Sequence, residues 1–352
     1  MRRFILDVIE RMGILRLILS VLLVIVFIFI IAQIPYRCTA PTSDSTKTKK
    51  PGQATDSSGK ARWQAPDTSA IPKTPEGDLV RYGRELIAKT SYYLGPKGKV
   101  KHVANAMNCQ NCHIDAGARL YGNSFSGVAS MFPQFRPRSG IVESIEFRIN
   151  DCLLRSLNGK TIDSTSLEMR AMVAYLKWIG KDVQKGTKPV GTGTVEPTYL
   201  KRAADVLKGK MVYVSKCQTC HGKKGEGIMF ADGGSFVYPP LWGPESYNIG
   251  AGLYRLGRFA GYVKYSMPLG ATYEKPQLTD AEAWDVAAFV NSQPRPEKFF
   301  PKDWPDIKKK AMDYPYGPYT DGFSEKQHKY GPYGPIKAAR DSAAGQKTNA
   351  GK

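Results

Sequence analysis

No helix-turn-helix, zinc-finger or aromatic RNA-binding signature occurs in the sequence, so its net charge of +20 does not read as a nucleic-acid-binding charge. Charged residues at 23% and aromatic residues at 11% are globular values, which excludes wholesale disorder and a collagen-like chain. Histidine and cysteine are scarce, four and six among 352 residues. Acidic side chains are also short in number, 31 against 51 basic ones, and half of the excess, 30 Lys+Arg against 20 Asp+Glu, falls within residues 76–301. A positive body of that kind suits a membrane surface, a small anion or the anionic groups of a cofactor. The length leaves room for two ordinary domains and extra segments.

Leu17 to Ile34 is apolar apart from Ser20 and Gln33 and is preceded by Arg2, Arg3, Arg11 and Arg16. Eighteen residues rising ~1.5 Å each reach about 27 Å, close to the hydrocarbon thickness of a bilayer. Ile34-Pro35-Tyr36-Arg37-Cys38 lacks a small-residue cleavage pattern, so residues 1–38 read as an uncleaved membrane anchor. The positive-inside rule then puts everything after Pro35 on the periplasmic side of the inner membrane. Cys38 reads as a lone juxtamembrane thiol. Residues 39–75, rich in Ser, Thr, Lys, Pro and Gly, have linker composition.

An even cysteine count in an exported chain suggests disulfides, but the spacing argues otherwise. Cys109-Gln110-Asn111-Cys112-His113 and Cys217-Gln218-Thr219-Cys220-His221 are both C-x-x-C-H, the attachment sequence of a c-type haem. Two thiols three residues apart can form thioethers to the porphyrin, and the next residue, His113 or His221, ligates iron. A four-cysteine zinc site or a pair of thioredoxin-like motifs leaves both histidines unexplained. Two covalently bound haem c groups are therefore expected.

The motifs sit in similar surroundings, as an internal repeat requires. Glu76–Thr90 and Thr198–Val214 read as helices ahead of them. Thr165-Ser166-Leu167-Glu168 and Thr279-Asp280-Ala281-Glu282 read as capping boxes that open helices after them. Thr165 lies 56 residues beyond Cys109, and Thr279 lies 62 beyond Cys217. The expected fold is mainly α: tandem cytochrome c-like domains at 76–183 and 198–296, joined by a linker at 184–197. They are preceded by the N-terminal transmembrane segment and followed by an irregular C-terminal extension, residues 297–352. That extension is a Tyr-, Trp- and Phe-rich strap across the domains with a frayed end after about Lys337.

The sixth iron ligand comes from the loop between motif and last helix. In the second unit Met267 stands twelve residues before Thr279, with Met229 as the weaker choice. The equivalent place in the first unit, thirteen residues before Thr165, holds Cys152. Cys152 is then an axial ligand, a buried free thiol or a disulfide partner of Cys38, with Met131 as the fallback ligand. A thiolate lowers the potential of its iron and a methionine raises it, so electrons would run from the first haem to the second. His102 and His328 are read as surface or hydrogen-bonding residues rather than ligands.

The stretch Arg148-Ile149-Asn150-Asp151-Cys152-Leu153-Leu154-Arg155-Ser156-Leu157-Asn158-Gly159, together with both haem motifs and the tail from Trp304 to Gly334, resembles the dihaem thiosulfate dehydrogenases over about residues 76–335. The resemblance implies an enzyme that couples two thiosulfates to tetrathionate, or runs the reverse reaction, with an external cytochrome c-type or other electron acceptor. It implies that Cys152 ligates the active-site haem, and that Arg138, Arg148 and Ser156 line the anion site. Some members carry lysine just before the second-haem methionine and exchange ligands. Here Ser266 stands there and the nearest lysine is Lys264, so a switch is not expected. The competing function is a dihaem electron carrier without substrate. A haem sensor lacks a signalling domain here, and a dihaem peroxidase lacks a matching motif.

Overall fold

The structure, a computed structural model, describes residues 62–349. The 17–34 anchor, Cys38 and most of the 39–75 linker lie outside that range. Among the described residues no helix is long and apolar enough to cross a membrane.

The first helical unit is built on α1 (Pro75–Ala88), α2 (Ile145–Arg155) and α3 (Leu167–Ile179). Thr74 caps α1 and Pro75 opens it, a position where the missing amide hydrogen costs nothing. Met169, Met172, Val173, Tyr175 and Leu176 recur at helical spacing on α3 and are buried. Ahead of α1, Trp63 and Ala65 pack against the same core, so the end of the linker-like stretch is docked. A short antiparallel hairpin, β1 (Gln134–Arg136) and β2 (Ile141–Glu143), leads into α2.

The second unit repeats the plan with α4 (Val206–Lys216), α5 (Leu256–Ser266) and α6 (Asp280–Ser292), and carries a small hairpin of β3 (Ile228–Met229) with β4 (Phe236–Tyr238). The repetition reaches atomic detail. A Cβ on Gly83 would lie 1.9 Å from the Ala171 carbonyl oxygen, and one on Gly209 would lie 1.9 Å from that of Asp285. Each glycine therefore lets the first helix of its unit touch the backbone of the last, an approach closed to any larger residue.

Two helix boundaries differ from the sequence expectation. The chain is not helical at 198–204, because α4 begins only after Asp205, whose side chain accepts from Leu207 N and Lys208 N. Thr279 and Glu282 form the expected reciprocal capping box on α6. On α3 the cap is instead Ser166, since Asp163 already takes both the amide and the hydroxyl of Thr165, at 2.7 and 2.8 Å.

The two units share walls. Phe236, Tyr247, Ile249, Ala251 and Tyr254, all from the second half of the chain, lie in the core of the first. The connecting stretch also runs back over the first unit: Tyr121 N donates to Gly191 O at 2.8 Å and Asn123 N to Gly193 O at 3.1 Å. After α6 the extension touches both cores, through Tyr316 on the first and through Met312, Phe323, Tyr333 and Ile336 on the second.

The extension is not irregular to its end. It forms α7 (Glu325–Tyr330) and α8 (Tyr333–Asn349), with Ile336 fully buried. Arg340 binds the Lys310 carbonyl at 2.8 Å and pairs with Asp321, which holds down a segment expected to fray. His328 is fully buried, bonded to the Met312 carbonyl and to Asp321.

Candidate functional site

A cavity of about 380 Å³ opens in the first unit. Helix α2 and its C-cap residue present Arg148, Cys152 and Ser156 to it at spacings of four residues, with Ile149 and Leu153 alongside, so one helical face forms part of the lining. Ser144 starts that helix by accepting from Phe147 N at 3.2 Å. Cys109, Cys112 and His113 line the same cavity, as do Met131 and Met172. Cys152 therefore lines the same cavity as the first haem motif, and so does Met131, the fallback ligand.

The donor set fits a haem c. Burial pushes the Cys109 and Cys112 thiols up to about 11 and 12, so the lining holds neutral sulfur, the state that thioethers also keep. Burial pushes His113 down to about 4, leaving a neutral imidazole at pH 7. Its Nδ1 donates to the Asn123 carbonyl at 2.6 Å, which fixes the tautomer and leaves Nε2 with a free lone pair for iron.

The second unit has a narrower cleft lined by Cys217, His221, Met267, Leu278 and Val290. Cys220 does not line it. His221 is also lowered by burial, and its Nδ1 donates to the Pro239 carbonyl at 2.8 Å. Met267 follows α5 directly, its amide bonded to Val263 O at 3.0 Å. Met229 is exposed on the short β3 strand, away from the cleft. Lys264 is paired with Asp280, and Ser266 is buried. Met107, Asn111 and Cys112 line both cavities, and the Tyr262 hydroxyl donates to the Asn111 carbonyl at 2.7 Å. The two cofactor sites are neighbours separated by the first haem motif itself.

Behind the Cys152 face lies a cluster of charge. Asp151 receives Arg138 Nη2 at 2.7 Å and also pairs with Arg148 and Arg155. Arg155 in turn grips Asp303 of the extension with both Nη groups, each at 2.7 Å, and stacks on Phe300. Burial raises the Asp151 pKa, but Arg138, Arg148 and Arg155 outweigh it and hold the carboxyl below its ordinary value. Arg148 is raised, above all by Cys152, against the effect of its own burial.

Arg148 and Ser156 thus stand with Cys152 on the cavity wall. Arg138 does not: its Nη groups are committed to Asp151 and to the Gly250 carbonyl, the latter at 3.1 Å. Asp151 and Asp303 were missed in the sequence reading. Asp151 sits three residues after Arg148 and four before Arg155, a spacing visible in the sequence, whereas Asp303 is 148 residues from its arginine and leaves no local signal.

Residues 99–184 match the family model described as SoxA/TsdA, cytochrome c domain, and residues 206–294 match that of cytochrome c. The chain is 37% identical over 257 residues to a thiosulfate dehydrogenase from Psychrobacter arcticus, covering 72% of this chain and 75% of that one. To the thiosulfate dehydrogenase of Stutzerimonas stutzeri it is 34% identical over 253 residues, covering 72% and 78%. To that of Allochromatium vinosum it is 37% identical over 235 residues, covering 66% and 83%. Among solved structures, thiosulfate dehydrogenase (TsdBA) from Marichromatium purpuratum in its "as isolated" form superposes with a TM-score of 0.62 at 32% identity, over 67% of this chain. The match spans half of that longer chain.

Proposed function

The chain belongs to the thiosulfate dehydrogenase family, and from that premise we propose that it oxidises two thiosulfates to tetrathionate at the Cys152 face of the first cavity. It is an enzyme with two covalently bound haem c groups, held by Cys109, Cys112 and His113 in one unit and by Cys217, Cys220 and His221 in the other. When bound, the haems supply two one-electron acceptors in series, matching the two electrons released when 2 S₂O₃²⁻ become S₄O₆²⁻.

The chain's own residues handle the sulfur chemistry. Arg148 and Ser156 hold the sulfonate of the first thiosulfate beside Cys152. The sulfane sulfur and Cys152 Sγ then form an S–S bond as two electrons leave. A second thiosulfate attacks the outer sulfur of that bond, tetrathionate departs, and the Cys152 thiolate is regenerated, so atoms and charge balance. Cys152 would hold the iron of the first haem and Met267 that of the second, each from the lining of its own cavity. Arg138 acts at one remove by fixing Asp151, which orients Arg148. The observation that supports this reading is that Cys152 lines the cavity that His113 and Arg148 also line.

Electrons leave for a cytochrome c-type or other acceptor. Export to the periplasmic side with residues 17–34 as anchor belongs to the same proposal and rests on the sequence. Thiosulfate-dependent reduction of ferricyanide by the dihaem protein is the expected result. Absence of turnover with both haems in place would leave a pure electron carrier.

A further inference from the structure

Resting on the function proposed above, we infer that Arg136 anchors the sulfonate of the second thiosulfate, and hence the far end of tetrathionate. Arg136 ends strand β1 and lines the first cavity together with Arg148 and Cys152. It differs from the arginines that pair with Asp151. Arg138, Arg148 and Arg155 share Asp151, and Arg155 also holds Asp303. Among the described residues the Arg136 guanidinium, only partly exposed, has no ion-pair or side-chain hydrogen-bond partner. Glu143 is the carboxylate that acts on it through space, yet the two form no ion pair, and one Glu143 oxygen accepts from Ser139 Oγ at 2.8 Å. Burial and then Arg148 push the Arg136 pKa down, and Glu143 opposes them without reversing the direction.

The reaction supplies the missing anion. Its product carries a sulfonate at each end and its substrates are two dianions. Even two unit charges 4 Å apart repel by about 4 kcal/mol at an effective dielectric near 20. With Arg148 and Ser156 flanking the cysteine, the incoming thiosulfate needs a separate cation further along the wall. Lys188, which also lines the cavity and has no ion-pair partner among the described residues, is exposed, so solvent screens it. A guanidinium presents the planar fork that a sulfonate edge accepts, so Arg136 selects for a second sulfur oxyanion of that shape.

The test compares the oxidised dihaem wild type with Arg136→Gln and Arg136→Lys, using tetrathionate binding by calorimetry, thiosulfate kinetics, and the visible spectrum and midpoint potentials without substrate. Arg136→Gln is expected to weaken tetrathionate binding by about tenfold or more and to raise the thiosulfate KM by a similar factor with kcat within about twofold. The substrate-free spectrum and potentials stay at wild-type values. Arg136→Lys, which keeps the charge but not the fork, weakens binding by about threefold and decides the matter alone if the glutamine variant does not fold. Unchanged affinity and KM would overturn the assignment. So would a shifted substrate-free potential with unchanged affinity, which would make Arg136 a partner of a cofactor propionate. Wild-type turnover with an indifferent Arg136→Gln variant sinks this inference only, whereas a wild type without turnover sinks the proposed function with it.

Discussion

Replacing Cys152 with alanine abolishes thiosulfate turnover, a loss of ~10³-fold or more, while both haems stay attached. The attachment cysteines belong to other segments, Cys109 and Cys112 on one motif and Cys217 and Cys220 on the other, so neither thioether pair depends on α2. The substitution removes one sulfur from a partly exposed position on the cavity wall and leaves the α2 backbone, its Ser144 cap and the Asp151 cluster in place. A fold defect is therefore not expected, and the result reads on chemistry. Steady-state assay with ferricyanide, normalised to haem content, checks it. Wild-type turnover in the alanine variant would remove the cysteine adduct from the mechanism.

Asp151→Asn is expected to cost stability on a larger scale than any surface change, ~3–5 kcal/mol, because one neutral amide would then face three arginines. The Asp151 side chain is 9% exposed and that of Arg155 is 8% exposed, so solvent offers little relief. Its carboxyl pKa is lowered in the fold, so the stabilisation is fully present above the unfolded carboxylate value near ~4 and is lost as the pH falls through the depressed folded value. Thermal unfolding of the dihaem protein at pH 7 should fall by ~10 °C in the variant, and its acid-side stability should change less with pH than that of wild type. A melting temperature within about two degrees of wild type would show that the cluster does not hold α2 in place.

How much could be read from the chain alone depended on how local each signal was. The two haem motifs are five-residue words, and the capping box at Thr279 is a four-residue one, so both were legible. Cys152 was found by counting from a repeated landmark, even though the cap on α3 proved to be one residue later, at Ser166. Gly83 and Gly209 carry the repeat as clearly as the cysteines, but their role is close approach to a helix far along the chain, which no local pattern announces. The same holds for Asp303 and for the stretch after the first unit, read as a spacer, which bonds back to Tyr121 and Asn123 and supplies part of the cavity wall. The end of the extension was misjudged because its polar, alanine-containing sequence hides one anchoring residue, Ile336, and one long-range pair, Arg340 with Asp321. Arg136 escaped attention because its distinguishing property is the lack of an ion-pair partner among the described residues, which only the fold reveals.

The most direct test of Cys152 as an iron ligand is the near-infrared spectrum of the oxidised dihaem protein, recorded beside that of Cys152→Ala. A thiolate-to-iron charge-transfer band in the wild type that vanishes in the variant is the predicted result. Identical spectra from the two proteins would contradict it.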